Sequence, residues 1–215
     1  MQRVAVARAL AAGARILLLD EPLGQLDAKV RNEIRYEIRR MAKDLKLTAI
    51  HVTHDQAEAM SISDRIAVMK KGKIIQIGTP QELYMHPNSI FVAFFIGESN
   101  FLICSVGKSG NGTLEAKLSD GSVISVERPE DFEPSSKATI AIRPERAFIS
   151  RKRRTGKLAA TIENIVFMGT DTHVYTRLRD GTPFVVRQQN LTGEDQLEGG
   201  QEIGDGALDE LFLVV

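Results

Sequence analysis

The sequence predicts an α/β unit followed by a small all-β, barrel-like unit, and three observations carry that expectation. Residues Ile16-Leu17-Leu18-Leu19 show no alternation, so they read as a strand covered on both faces, the mark of a central parallel strand. A helical stretch, Ala28 to Leu45, separates that run from a second apolar, β-branched run, Leu47 to Thr53, as a parallel strand-helix-strand crossover requires. From about Gly97 helical periodicity gives way to short β-like runs, with hairpin signals at Asp120-Gly121 and Asp180-Gly181. The expected domains are therefore residues 1–97 and 98–215.

In chain order, Gln2 to Ala12 is rich in the helix formers Ala, Leu and Arg, and Gly13 stands where a glycine ends such a helix. The first strand stops at Pro22, which has no N–H to extend a ladder. Leu23 to Asp27 is a loop. In the helix that follows, Ile34, Ile38, Met41 and Leu45 form one apolar stripe, and Arg31, Arg35, Arg39, Arg40 and their acidic neighbours read as a solvated face. Asp55 suits the N-cap of a short helix, and Arg65 to Gly78 reads as a hairpin turning at Lys70-Lys71-Gly72-Lys73. Thr79-Pro80-Gln81-Glu82 has capping-box spacing with proline at the first helical position. His86-Pro87 interrupts that helix, and Ser89 to Ile96 forms another. The expected strands beyond are Phe101–Val106, Val123–Val126, Thr139–Ile142, Ala159–Phe167, His173–Leu178 and Phe184–Val186.

Ligands of open parallel sheets sit at the carboxyl ends of the strands, and the first strand delivers Asp20 and Glu21 there. Adjacent carboxylates suit a magnesium-nucleotide site, where one holds hydrated Mg²⁺ and the next polarises the attacking water. A right-handed crossover brings His54, at the end of the second strand, to the same edge.

The totals exclude some classes. Lys+Arg and Asp+Glu both number 28, so no net field recruits nucleic acid or an anionic membrane. The one dense basic run, Arg151 to Arg154, lacks interleaved aromatics and reads as a solvated loop. The longest apolar run, Ile90 to Ile96, is far short of the roughly 20 residues that span a bilayer. The N-terminal stretch has neither the apolar core nor the cleavage signal of an export leader. A single cysteine, Cys104, allows no internal disulfide, in keeping with a reducing compartment.

Taken together, the motifs resemble the ATP-binding subunit of an ATP-binding-cassette (ABC) importer, in the group whose nucleotide-binding domain precedes a transport-associated OB-like β-barrel. Gln2 to Leu10 looks like the helix after the family's signature loop, and Ile16-Leu17-Leu18-Leu19-Asp20-Glu21-Pro22 like its Walker B strand. Leu23-Gly24-Gln25-Leu26-Asp27 resembles its D-loop, Val52-Thr53-His54-Asp55-Gln56 its switch-histidine segment, and Ile142-Arg143-Pro144-Glu145 a strand of the barrel. The resemblance implies Asp20 contacting Mg²⁺ through water, Glu21 as general base or water positioner, and His54 at the γ-phosphate of ATP. It places Asp27 in the loop that faces the opposite subunit of an ATP-sandwich homodimer, with Gly24 where a serine is common. The implied cofactors are ATP and Mg²⁺, and the implied partners are transmembrane permease subunits, with no nucleic acid. The implied location is the cytoplasmic face of the plasma membrane, held peripherally through those permeases. Phe95 to Phe101 most resembles spermidine/putrescine importers, with sugar, iron and sulfate relatives left open.

The family's phosphate loop, G-x-x-x-x-G-K-[ST], its glutamine loop and its Leu-Ser-Gly-Gly signature are absent from these residues. The expectation is a partial, N-terminally truncated P-loop NTPase domain that neither hydrolyses nor tightly binds ATP alone, with one apolar sheet edge uncovered. The alternative is a noncatalytic regulatory, dimerisation or ligand-sensing module built on the β-domain. Gln201 to Val215 is acidic with an apolar end and is not aligned to the barrel's usual final strand.

Overall fold

A computed structural model of the chain describes residues 2–23, 27–110, 112–128, 137–149, 158–190, 202–206 and 212–214. Gly24, Gln25 and Leu26 of the expected D-loop, the basic run 151–154 and most of the chain beyond residue 190 lie outside the described residues. Strands predominate, and the chain divides into two compact units between Tyr84 and Met85. That division groups the helix at Ile90–Ile96 with the β unit, whereas the sequence sets the boundary near residue 97.

The first unit opens with α1 (Gln2–Ala11). Gly13, at φ +79°, ends it in a Schellman turn: Ala14 N–H donates to Ala9 O at 3.1 Å and Gly13 N–H to Leu10 O at 2.9 Å. Strand β1 (Ile16–Asp20) pairs in parallel with β2 (Thr48–Val52), from Ile16 opposite Thr48 to Asp20 opposite Val52. Between them runs α2 (Ala28–Asp44), whose first turn is capped by Asp27 accepting from Val30 N–H at 3.0 Å. Then come α3 (Gln56–Ile62) and the hairpin of β3 (Ile66–Lys70) and β4 (Lys73–Gly78). Lys71 and Gly72 turn that hairpin with φ of +49° and +76°, the type I′ geometry that matches strand twist. Helix α4 (Pro80–Met85) carries the full capping box, with Thr79 N–H donating to Glu82 at 2.8 Å and Glu82 N–H to the Thr79 hydroxyl at 3.2 Å.

One expectation for this unit fails. Leu17 is 7% exposed, but Leu18 and Ile16 on the opposite face are 75% and 62% exposed, and Ile50 and Val52 beside them 56% and 57%. The sequence pattern of a doubly covered strand is present, yet nothing among the described residues covers that face.

The second unit begins with α5 (Ile90–Ile96), capped by Ser89. Strands β5 (Asn100–Gly110), β6 (Thr113–Leu118), β7 (Val123–Glu127), β8 (Ala138–Ile142) and β13 (Phe212–Val214) form one antiparallel sheet, ordered β13-β8-β5-β6-β7. The other contains β9 (Leu158–Phe167), β10 (Asp171–Leu178), β11 (Pro183–Gln189) and β12 (Glu202–Gly206), ordered β11-β10-β9-β12. Both sheets contribute alternate side chains to one core, from Ile140, Ile142 and Leu114 to Val174, Phe184 and Val186. Strand β6 is missing from the sequence expectation because only Leu114, Ala116 and Leu118 mark its buried face. Among the described residues no helix is long and apolar enough to cross a membrane.

Candidate functional site

Parallel pairing of β1 with β2 sets the site, since it brings the residues after both strands to one sheet edge. Asp20 is the last residue of β1, and Glu21 N–H still donates to Val52 O at 2.9 Å. Glu21 then turns into the left-handed region at φ +42°, ahead of Pro22. For a non-glycine residue that conformation costs about 1 kcal/mol, and such outliers concentrate at functional sites.

Across the edge, Nδ1 of His54 lies 2.8 Å from Oε1 of Glu21, with the two side chains 76% and 54% exposed. The Glu21 hydrogen bond, and next its charge, raise the imidazole above its ordinary pKa, and the Asp55 and Glu58 carboxylates add to the effect. Protonated His54 therefore donates through Nδ1 to Glu21 while keeping Nε2–H for a second acceptor. Asp20, Glu21 and His54 share this edge, with Asp20 exposed beside the pair. Asp27 is elsewhere in its chemistry: its carboxylate caps α2.

A second layer of residues, which sequence reading left as a solvated face, holds the histidine segment. Asp55 caps α3 through Oδ1, accepting from Glu58 N–H at 2.9 Å, while its Oδ2 takes Arg35 at 2.6 Å and Arg31 at 3.3 Å. Burial pushes the Asp55 carboxyl up, but the Glu58 N–H and the two guanidiniums hold it below the usual carboxylate range. Thr53 accepts from Asp55 N–H at 3.0 Å and donates to Glu58 at 2.5 Å. His51 Nε2 approaches the other Glu58 oxygen to 2.9 Å without the alignment of a hydrogen bond. The available signal was the spacing of Arg31, Arg35, Arg39 and Lys43, four apart along one face of α2.

Among the described residues no group of three or more His, Cys, Asp or Glu is placed to hold a metal ion. Mg²⁺ in nucleotide sites needs no such cage, because phosphate oxygens and water fill most of its octahedron. A lone strand-end carboxylate such as Asp20 fits that donor set. The exposed Glu21–His54 pair fits the outer end of a phosphate chain, whereas no phosphate loop occurs in the sequence.

Comparison with known proteins agrees with the motifs. Residues 140–204 match the TOBE domain family. The spermidine/putrescine import ATP-binding protein PotA of Mesorhizobium japonicum is 49% identical over 88% of this chain and 51% of its own length. The protein of the same name from Ruegeria pomeroyi is 46% identical over 88% and 51%. An Fe(3+) ions import ATP-binding protein, FbpC of Fusobacterium nucleatum, is 39% identical over 88% and 50%. The chain is thus homologous to the ATP-binding subunits of ABC importers and carries a TOBE domain. Several of these relatives are named for spermidine and putrescine import, and the chain spans about half the length of the curated relatives it matches.

Proposed function

We propose that these residues form the water-activating part of an ATP-hydrolysing importer subunit, followed by its TOBE domain. The observation that carries this is the 2.8 Å contact between His54 Nδ1 and Glu21 Oε1 at the ends of two parallel strands. In this reading Glu21 takes the proton of the attacking water, and its hydrogen bond to His54 fixes the carboxylate and spares the Nε2 donor for the γ-phosphate. Asp20 contacts hydrated Mg²⁺, which neutralises phosphate charge when bound. Asp27, at the head of α2, lies in the loop facing the second subunit of a dimer. Permease subunits are the membrane partners, and the chain sits at the cytoplasmic face through them. Polyamine is the favoured cargo, supported by 49% identity to a spermidine/putrescine relative against 39% to the iron relative.

Joined to a segment of such a relative that bears the phosphate loop and signature, the chain is expected to hydrolyse ATP. Glu21→Gln should then abolish turnover while nucleotide affinity stays the same, because the base is lost and the phosphate cradle is not. Normal turnover in that variant would sink the role of Glu21. Residues 1–215 by themselves should show no micromolar binding of Mg-ATP in isothermal titration. The self-contained core of the β unit favours a second reading, a regulatory or dimerising module, which gains if the joined protein binds Mg-ATP but never turns over.

A further inference from the structure

We propose that Arg35, assisted by Arg31, is a positioning residue for His54: through Asp55 it locks the segment that holds the imidazole against Glu21. The inference rests on the hydrolytic reading of that pair. Its basis is geometric. His54 is itself 76% exposed, so little packing orients its ring. Both neighbours in the chain are pinned instead. Thr53 is tied to Asp55 N–H and to Glu58, and Glu58 is almost fully buried. Asp55 is tied to α3 through one oxygen and to α2 through the other.

The tie to α2 is part of a ladder. Arg31, Arg35, Arg39 and Lys43 stand one turn apart, and each reaches α3 or its flanks. The first two take Asp55 at the start of α3. Arg39 donates to the Ile62 carbonyl at its end, and Lys43 pairs with Asp64 at 2.8 Å. Arg35 is the best-buried cation of the three that pair with these aspartates through guanidinium groups, at 12% side-chain exposure, and makes the shortest ion pair among them. Its Nη1 is braced by Asn32 at 2.9 Å. A guanidinium held on both sides is a stiff strut, which a surface ion pair between two mobile side chains is not.

Positioning and plain electrostatics predict opposite results, which makes the idea testable on the chain without nucleotide. The charged and titratable groups around His54 are Glu21, Asp55 and Glu58, with Asp20 on the same sheet edge, His51 against Glu58, and Arg31 and Arg35 beyond them. Removing a cation from that set, and freeing Asp55 from it, favours the imidazolium, so a purely electrostatic Arg35 would raise the His54 titration midpoint when deleted. A positioning Arg35 would lower it, because the Glu21 hydrogen bond loosens.

The experiment is an NMR titration of residues 1–215, with His54 identified among the four histidines by the signal lost in His54→Gln. Arg35→Met, which keeps the buried aliphatic stem, should bring the midpoint down toward the ordinary imidazole value, and Arg35→Lys should leave it near the parent. In a Glu21→Gln background Arg35→Met should cause no fall, since the contact it protects is already gone. An unchanged or raised midpoint in Arg35→Met, or a fall that persists without Glu21, overturns the proposal. If Arg35→Met does not fold, Arg31→Ala carries the same test with a smaller fall expected. Turnover of the joined protein tests the hydrolytic reading separately, so the two failures are distinguishable.

Discussion

Glu21 carries two demands that ordinary residues do not combine. Its backbone sits at φ +42°, which a glycine would adopt without cost, and its carboxylate is the partner that raises His54. A glutamine keeps the backbone cost and discards the charge, so Glu21→Gln isolates the electrostatic part. The sign follows from linkage. The fold raises the imidazole above its ordinary value, so the stabilisation is fully present at pH below that value and lost as pH rises through the raised one. Both side chains are more than half exposed, so water and salt screen the pair and its effect on stability is small. Urea midpoints of the parent and Glu21→Gln should therefore separate slightly, in favour of the parent, at about pH 6, near the ordinary imidazole range, and converge as pH rises past the raised imidazole value. Molar salt should close the gap. A larger gap at the higher pH would remove the His54–Glu21 pair from the account.

At the scale of elements, what the sequence revealed was whatever is local. The glycine ending α1, the Asp55 cap, the capping box of α4 and the Lys71-Gly72 turn all depend on neighbours within a few residues, and each stands where the pattern puts it. The meeting of Asp20, Glu21 and His54 at one sheet edge was legible for a related reason, because strand ends and a crossover bring them together. Partners far along the chain were not legible. Arg35 meets Asp55 20 residues on, and its charge looked solvated. Arg143 is the extreme case. It is 4% exposed, and Nη1 lies 2.8 Å from Ala93 O, 2.9 Å from Gly97 O, 3.1 Å from Glu98 O and 2.7 Å from the Ser99 hydroxyl. It thus binds the carbonyl end of α5, where a cation also complements the helix dipole. Arg143→Met would keep the stem but strand those acceptors, the buried Ala93 carbonyl among them. The expected loss is about 3 kcal/mol of unfolding free energy, read from urea denaturation of the β unit's signal. A loss under about 0.5 kcal/mol, the level of an ordinary surface change, would show that the contacts contribute nothing net.

At the scale of the whole molecule, the two units differ in how completely each buries its own apolar surface. The β unit closes two sheets on one core, and Val174, Ile140 and Ile142 at its centre are fully buried. Among the described residues the β1–β2 sheet has two strands, and it leaves Ile16, Leu18, Ile50 and Val52 open to solvent. Two-stranded sheets are marginal by themselves, and local opening costs least where few apolar contacts must be broken. Amide hydrogen exchange of the full chain should therefore rank the units. The amides of β5, β8 and β10 should exchange last, at a free energy that falls with added urea because they open by global unfolding of their unit. Those of β1 and β2 should exchange far sooner and with little urea dependence, through local fluctuation. Leu18→Ser should leave the β1 rates within a few-fold of the parent, since a side chain 75% exposed contributes little burial. Leu17→Ala, which deletes a side chain only 7% exposed, should raise them by at least tenfold, the equivalent of about 1.4 kcal/mol. Equal protection of β1 and β8 would mean that the exposed strand face is covered in solution, and the rate change caused by Leu18→Ser would then show whether that face is where the cover sits.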